Sequence, residues 1–131
     1  MAQARAVYIV DNDASVRKGL SRLIRASGFE TRSFASPESF LEEVKAEPCG
    51  CLLLDITRSD IIGPQVLARL KELKIDMPVI AISADDGAAV RESAHRFGAQ
   101  FFLSKPVDDH ALLDTIAWVT GQARPDGDEA D

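Results

Sequence analysis

Short apolar runs alternate along the chain with longer segments in which apolar residues recur every three or four positions. Runs of the first kind predict strands, and segments of the second kind predict amphipathic helices. The five predicted strands read AVYIVD, FETRSF, CLLLD, PVIAIS and QFFLS in chain order, and a predicted helix follows each. This strict alternation predicts an α/β domain with a parallel sheet covered by helices on both faces.

Residues that favour helix ends mark several of the predicted boundaries. Ser15 is predicted to cap the first helix, and Gly28 to end it. Ser36 followed by Pro37 is typical of a helix start, and Gly98 is predicted to end the fourth helix. FETRSF alternates apolar and polar residues, so the second strand is predicted to be half exposed at an edge of the sheet.

The length of 131 residues suits one domain with a hydrophobic core. The net charge of −6, without a basic stripe, argues against unaided binding to nucleic acid or to an anionic membrane. Neither a membrane span nor a secretion signal is apparent, so we expect a cytoplasmic protein. We expect the folded domain to occupy residues 1–120. Residues 121–131, GQARPDGDEAD, are expected to form a disordered acidic tail or a linker stub.

Chemically active side chains follow four of the five predicted strands. Asp11, Asp55 and Ser83 end the first, third and fourth strands, and Lys105 lies just past the fifth. Each residue alone could be a helix cap, a turn residue or a solvated charge. Because the carboxyl ends of parallel strands border the ligand crevice, their joint placement predicts a site at that edge of the sheet.

The residue types at this edge suit phosphoryl transfer. Clustered carboxylates repel one another unless a cation neutralises them, and carboxylate oxygens without soft ligands favour Mg²⁺. A hydroxyl and an ammonium suit the oxygens of a transferring phosphoryl group. A central carboxylate can act as the nucleophile and form an acyl phosphate. The predicted chemistry is Mg²⁺-dependent phosphoryl transfer to an aspartate.

The segments YIVDND, LLLDI, VIAIS and FFLSKP closely resemble those of a bacterial response-regulator receiver domain, particularly of the FixJ-type branch. The resemblance extends over about residues 6–120. It implies a doubly wound, flavodoxin-like fold with five strands in the order 2-1-3-4-5 and five flanking helices. It also implies two-component signalling, in which a sensor histidine kinase or a phosphotransfer protein phosphorylates Asp55.

The resemblance further assigns roles to individual residues. The implied Mg²⁺ ligands are Asp11, Asn12, Asp55 and the backbone carbonyl of Thr57. Ser83 would hydrogen-bond the phosphoryl group, Lys105 would pair with it, and Phe102 would be the aromatic switch residue that turns inward with Ser83. The surface changed by the switch would then bind a downstream protein or act on an output domain missing from this chain, and a homodimer stays open. Such a domain catalyses only its own phosphorylation and dephosphorylation.

Two alternatives stay open. A haloacid-dehalogenase-type phosphatase also begins with an apolar strand and D-x-D, here with Asp11 as nucleophile and Asp13 as acid/base. The short chain and the absence of a role for Asp55 count against it. The second alternative is a receiver-like interaction module that works without phosphorylation. It is suggested by Asn12, where receivers usually carry an acid, and by the unusual loop DITRSDIIGPQVL after the third strand.

Asn12 is expected to weaken Mg²⁺ binding without abolishing it. An amide oxygen can coordinate Mg²⁺ but brings no formal charge. At an effective dielectric constant of about 20, a pair of unit charges about 4 Å apart is worth about 4 kcal/mol. The carboxylate repulsion that Asn12 avoids in the metal-free state offsets part of this loss.

Overall fold

The computed structural model of the chain describes residues 6–44, 50–56, 62–75, 77–84 and 87–121. Within these residues, five strands alternate with five helices. In chain order they are β1 (Ala6–Val10), α1 (Ala14–Ala26), β2 (Glu30–Phe34), α2 (Pro37–Glu43), β3 (Cys51–Asp55), α3 (Ile62–Glu72), β4 (Val79–Ser83), α4 (Ala88–Phe97), β5 (Phe101–Ser104) and α5 (Asp109–Thr120).

The strands form one parallel sheet in the order β2-β1-β3-β4-β5. The predicted α/β class and strand order are therefore confirmed. β2 lies at one edge, as its alternating sequence predicts, and Glu30, Arg32 and Ser33 on it are exposed. β3 and β4 are almost entirely buried, because both lie inside the sheet and have helices on both faces.

Two hydrophobic clusters lie on opposite faces of the sheet, because successive strand residues point to opposite sides. Tyr8, Leu52 and Leu54 belong to the cluster that also contains Phe40 of α2, Val66 of α3 and Ala94 of α4. The other cluster contains Val7, Ile9 and Leu53, together with Ile24 of α1 and both Leu112 and Ile116 of α5. Helices α1 and α5 therefore cover one face, and α2, α3 and α4 cover the other.

The start of α1 differs from the sequence prediction. Asp13, and not Ser15, is the cap, since Asp13 Oδ1 accepts hydrogen bonds from the backbone amides of Ser15 (2.9 Å) and Val16 (3.2 Å). Asp and Ser are about equally good caps, so residue type could not decide between these two positions.

The other predicted helix ends are confirmed. Ser36 caps α2 through the amide of Ser39, with Pro37 in the first turn. Gly98 ends α4 at φ +112°, a left-handed conformation that favours glycine. In the described part of the chain, no helix is long and apolar enough to cross a membrane.

Candidate functional site

The carboxyl ends of the strands bring the predicted charged side chains together. Asp11 directly follows β1, Asp55 ends β3, and Lys105 directly follows β5. Lys105 Nζ lies 3.1 Å from Asp11 Oδ2 and 3.4 Å from Asp55 Oδ2. One ammonium therefore bridges two carboxylates that are 94 and 50 residues away from it in sequence.

These three side chains differ in exposure. The side chain of Asp11 is 3% exposed and that of Asp55 is 8% exposed, whereas that of Lys105 is 23% exposed. Burying carboxylates is costly unless they are paired, and the ammonium of Lys105 supplies the pairing. The lysine thus reaches inward from a more accessible position and offsets part of the negative charge of two side chains that water reaches poorly.

The surroundings of Lys105 favour its charged form. Burial alone would lower the pKa of the ammonium. The hydrogen bond to Asp11 and the negative charges of Asp55 and Asp11 outweigh burial, so the pKa of Lys105 lies above its ordinary value of 10.5. Lys105 is therefore protonated at neutral pH.

Backbone contacts fix Asp11 in place. Its amide donates to the carbonyl of Phe34 at 3.1 Å, which continues the β1–β2 ladder, and its Oδ1 accepts from the amide of Asp13 at 2.9 Å. The guanidinium of Arg17 on α1 donates to the Asp11 carbonyl at 2.7 Å. Sequence reasoning missed this contribution of Arg17, because a charged residue near the start of a helix is usually solvated.

Ser83 lies at the same edge of the sheet. It ends β4 and is fully buried. The amide of Lys105 donates to the Ser83 carbonyl at 2.9 Å, so the strand ends that carry the hydroxyl and the ammonium are adjacent. A hydroxyl and an ammonium on neighbouring strands can jointly contact an anionic group.

The other residues predicted to lie near Asp11 and Asp55 are Asn12, Asp13 and Thr57. Asn12 is exposed beside the buried Asp11, and Asp13 is exposed with Oδ1 committed to the cap of α1. Thr57 lies outside the described residues. The structure therefore gives Asp13 a structural role at the position where the phosphatase alternative needs an acid/base.

Phe102, the residue compared with an aromatic switch, is half-buried on β5. Its ring is covered by Arg91 of α4, with the guanidinium carbon 4.8 Å from the ring centroid. This cation–π contact was not predicted, since it depends on how α4 packs beside β5. The contact places the positive charge of Arg91 over the ring of Phe102.

The carboxylates fit a hard divalent cation in part. Asp11 and Asp55 converge closely enough to share the ammonium of Lys105, and carboxylate oxygens suit Mg²⁺. The described residues hold no group of three or more His, Cys, Asp or Glu side chains that could bind a metal. The described side chains therefore offer two carboxylates, and Asn12 adds a neutral amide next to them.

A family model described as the response regulator receiver domain matches residues 7–117. The chain belongs to this family. Membership of this family is consistent with a role in two-component signalling. Phosphorylation and Mg²⁺ binding are typical of the family. This membership disfavours the haloacid-dehalogenase-type alternative.

Relatives of this receiver domain include the response regulator protein TodT of Pseudomonas putida. TodT is 36% identical over 114 residues, which cover 87% of this chain and 50% of TodT. The transcriptional regulatory protein FixJ of Bradyrhizobium diazoefficiens is 28% identical over 119 residues, which cover 91% of this chain and 58% of FixJ. The receiver domain spans about half the length of such curated relatives.

Solved structures agree with this assignment. The response regulator receiver protein from Burkholderia phymatum superposes with a TM-score of 0.78 at 36% identity, and 92% of this chain and 98% of that chain are covered. FixJ-N superposes with a TM-score of 0.80 at 29% identity, covering 95% of this chain and 99% of that one. The predicted resemblance to receiver domains of the FixJ type is therefore confirmed.

Proposed function

We propose that this receiver domain accepts a phosphoryl group on Asp55 from a partner histidine kinase or phosphotransfer protein, in a Mg²⁺-dependent reaction that switches a protein-interaction surface. The observation that carries this proposal is the contact of Lys105 Nζ with both Asp11 and Asp55. It supports Asp55 as a poised carboxylate beside a cation, at the edge where a parallel sheet binds ligands.

Asp55 is the nucleophile in this proposal. One of its oxygens attacks the phosphorus of the donor, and the bond from phosphorus to the donor nitrogen or oxygen breaks as the acyl phosphate forms. Lys105 lies 3.4 Å from Asp55 Oδ2, so its ammonium would neutralise charge that arrives with the phosphoryl group. The hydroxyl of Ser83 would donate a hydrogen bond to a phosphoryl oxygen.

Asp11, Asn12 and Asp55, with the backbone carbonyl of Thr57, would hold Mg²⁺ in this proposal. When bound, Mg²⁺ supplies positive charge that offsets repulsion between the carboxylates and the incoming phosphate. Hydrogen bonds from the amide of Asp13 and from Arg17, which hold Asp11 in place, support this role. Asn12 contributes at most a neutral oxygen, so the proposed affinity is weaker than that of a site with three acids.

Phe102 would transmit the change. Contact with the phosphoryl group would draw Ser83 and Lys105 inward, and Phe102 would follow toward the space beside β4. The phosphoryl group would make more favourable contacts in this inward arrangement than in the original one. Phosphorylation would therefore shift the population toward the inward conformation. The altered surface would act on a downstream protein or output domain, and the match to only 50% of the length of TodT supports the latter.

A phosphate-independent interaction module is the second candidate. Asn12, which stands where receivers usually carry an acid, favours it. The two candidates differ in one property, which is whether Asp55 ever becomes phosphorylated. A single incorporation experiment therefore separates them.

The deciding experiment incubates the full chain with acetyl phosphate, with and without Mg²⁺, and measures intact mass. We expect a gain of one phosphoryl group that requires Mg²⁺ and is absent from Asp55→Ala. Asp114→Asn, an exposed change on α5, is the matched control and is expected to gain phosphate normally. No gain at high Mg²⁺ would favour the phosphate-independent module.

A further inference from the structure

A basic groove runs along the outer side of α1, beside the edge strand β2. It has a volume of about 730 Å³, and the residues that line it include Arg17, Lys18, Arg22, Arg25, Ala26 and Ser33. Four of these residues are basic, and none of the described residues that line it is acidic. In a chain with a net charge of −6, this groove is a local concentration of positive charge.

Basic residues on other helices have acidic neighbours. Arg69 pairs with Glu72 on α3, and Arg96 pairs with Glu92 on α4. Helix α1, with the sequence ASVRKGLSRLIRA, has four basic residues and no acidic one. Its basic side chains therefore cannot be neutralised by an ion pair within the helix.

The hydrogen bonds of the groove leave its charge in place. Arg17 donates to the carbonyl of Asp11, and Arg25 donates to the hydroxyl of Thr31, both of which are neutral oxygens. Lys18 and Arg22 are four residues apart on exposed positions, and Arg22 and Arg25 are three apart, so like charges face each other along the helix. An anionic group in the groove would remove this repulsion.

The chain carries a matching acidic segment. Asp126, Asp128, Glu129 and Asp131 follow α5 within ten residues of Gly121, with Arg124 as the one basic residue in that stretch. These acidic residues lie outside the described part of the chain. Their negative charge complements that of the groove, in which basic residues recur over two turns of α1.

The fold places Gly121, after which this segment follows, at the same edge of the sheet as the basic end of α1. Both α1 and α5 pack on the same face of the sheet, where Leu23 and Val119 join one hydrophobic cluster. Because both helices follow parallel strands, both run back to the amino edge of the sheet, where Arg25 and Gly121 lie. Five extended residues, from Gly121 to Asp126, reach about 17 Å, enough to pass the end of α1.

We infer that the acidic segment Asp126–Asp131 docks into the basic groove of the same chain, with Arg22 and Arg25 as its main contacts. The small side chains of Ala26 and Ser33 leave room for an extended backbone. Attachment through Gly121 gives the segment a high effective concentration at the groove, which an unattached acidic peptide lacks. The contact is electrostatic and is lost as salt screens the charges. It does not depend on phosphorylation of Asp55.

The test follows the amide NMR signals of residues 126–131 in the full chain at low ionic strength. The variant Arg22→Gln/Arg25→Gln is compared with Lys71→Gln/Arg96→Gln, which removes the same charge from exposed positions on α3 and α4. We expect the groove variant to shift these signals and to increase the mobility of the segment, and the control to leave both unchanged. About 0.5 M NaCl is expected to reproduce the effect of the groove variant.

The reciprocal variant Asp126→Asn/Asp128→Asn/Glu129→Gln/Asp131→Asn should shift the amides of Arg22, Arg25 and Ser33. Equal effects of the groove and control variants would reveal a general effect of net charge and overturn the inference. Unchanged signals in all variants would also overturn it. Shifts at the groove that occur only when polyglutamate or inorganic polyphosphate is added would overturn it in favour of an external anion. No phosphoryl donor is used, so the result is independent of the proposed function.

Discussion

Lys105 Nζ lies 3.1 Å from Asp11 Oδ2 and 3.4 Å from Oδ2 of Asp55, the proposed phospho-acceptor. The ammonium thus lies closer to Asp11 than to Asp55, although both are proposed Mg²⁺ ligands. Asp55 has the weaker share of this cation, so a small movement of the lysine can transfer it toward a phosphoryl group. Attraction to Asp11 is the interaction that such a movement must overcome.

Replacing Lys105 with Met should destabilise the metal-free protein by about 1–3 kcal/mol at neutral pH, because two buried carboxylates lose their cation. The folded-state pKa of Lys105 is raised, so the stability it contributes is fully present below 10.5 and is lost as pH rises through the raised value. Urea unfolding of both proteins between neutral pH and pH 11 measures this difference. Lys71→Met, which changes an exposed lysine, is the control. A stability difference between wild type and Lys105→Met that grows at alkaline pH would contradict the raised pKa of Lys105.

Asn12→Asp should tighten Mg²⁺ binding by about tenfold or more, because a full negative charge replaces a neutral amide. Titration calorimetry with MgCl₂ gives the comparison. Gln65→Glu adds the same charge at an exposed position on α3 and should leave the affinity unchanged. Equal affinities for wild type and Asn12→Asp would show that position 12 does not contact the metal.

Asp13→Ala should destabilise the fold by about 1 kcal/mol, since two amides at the start of α1 lose their acceptor. Asp13→Asn should cost much less, because Asn caps helices about as well. Ser15→Ala should have little effect on the free energy of unfolding. If urea unfolding showed that Ser15→Ala lowers the free energy of unfolding more than Asp13→Ala does, Ser15 would be the cap.

Arg91→Met should weaken the packing of Phe102 by about 0.5–1 kcal/mol, the usual worth of a cation–π contact near the surface. A double-mutant cycle with Phe102→Leu isolates this coupling from other effects of each change. Arg96→Met on the same helix is the matched control and should show no coupling to Phe102. If Phe102 is the switch, the Arg91 variant should also alter its ring signals in the unphosphorylated protein.

Much of the fold could be predicted because its signals are local. Apolar runs such as CLLLD and VIAIS identify buried strands, and the polar alternation of FETRSF identifies the exposed edge strand β2. The strand order itself came from the family resemblance. The cap of α1 was mispredicted because Asp13 and Ser15 have nearly equal preferences, and only the backbone conformation decides between them.

The candidate site could be predicted only in outline. The positions of Asp11, Asp55, Ser83 and Lys105 at strand ends followed from the parallel sheet, but their partners did not. That Lys105 bridges two carboxylates depends on the lengths and directions of side chains from three strands. The contact of Arg91 with Phe102 likewise depends on how α4 packs against β5, which the pattern of apolar and polar residues in the sequence does not reveal.

The exposed polar side chains of β2 also affect how copies of this molecule meet. An edge strand offers unpaired backbone groups to any strand that approaches, and long apolar edges promote aggregation. Here the edge strand is five residues long and exposes Glu30, Arg32 and Ser33. A neighbouring strand that paired with β2 would have to bring its side chains against these polar groups. This edge of the sheet is therefore protected from pairing with a second copy by its own polar sequence.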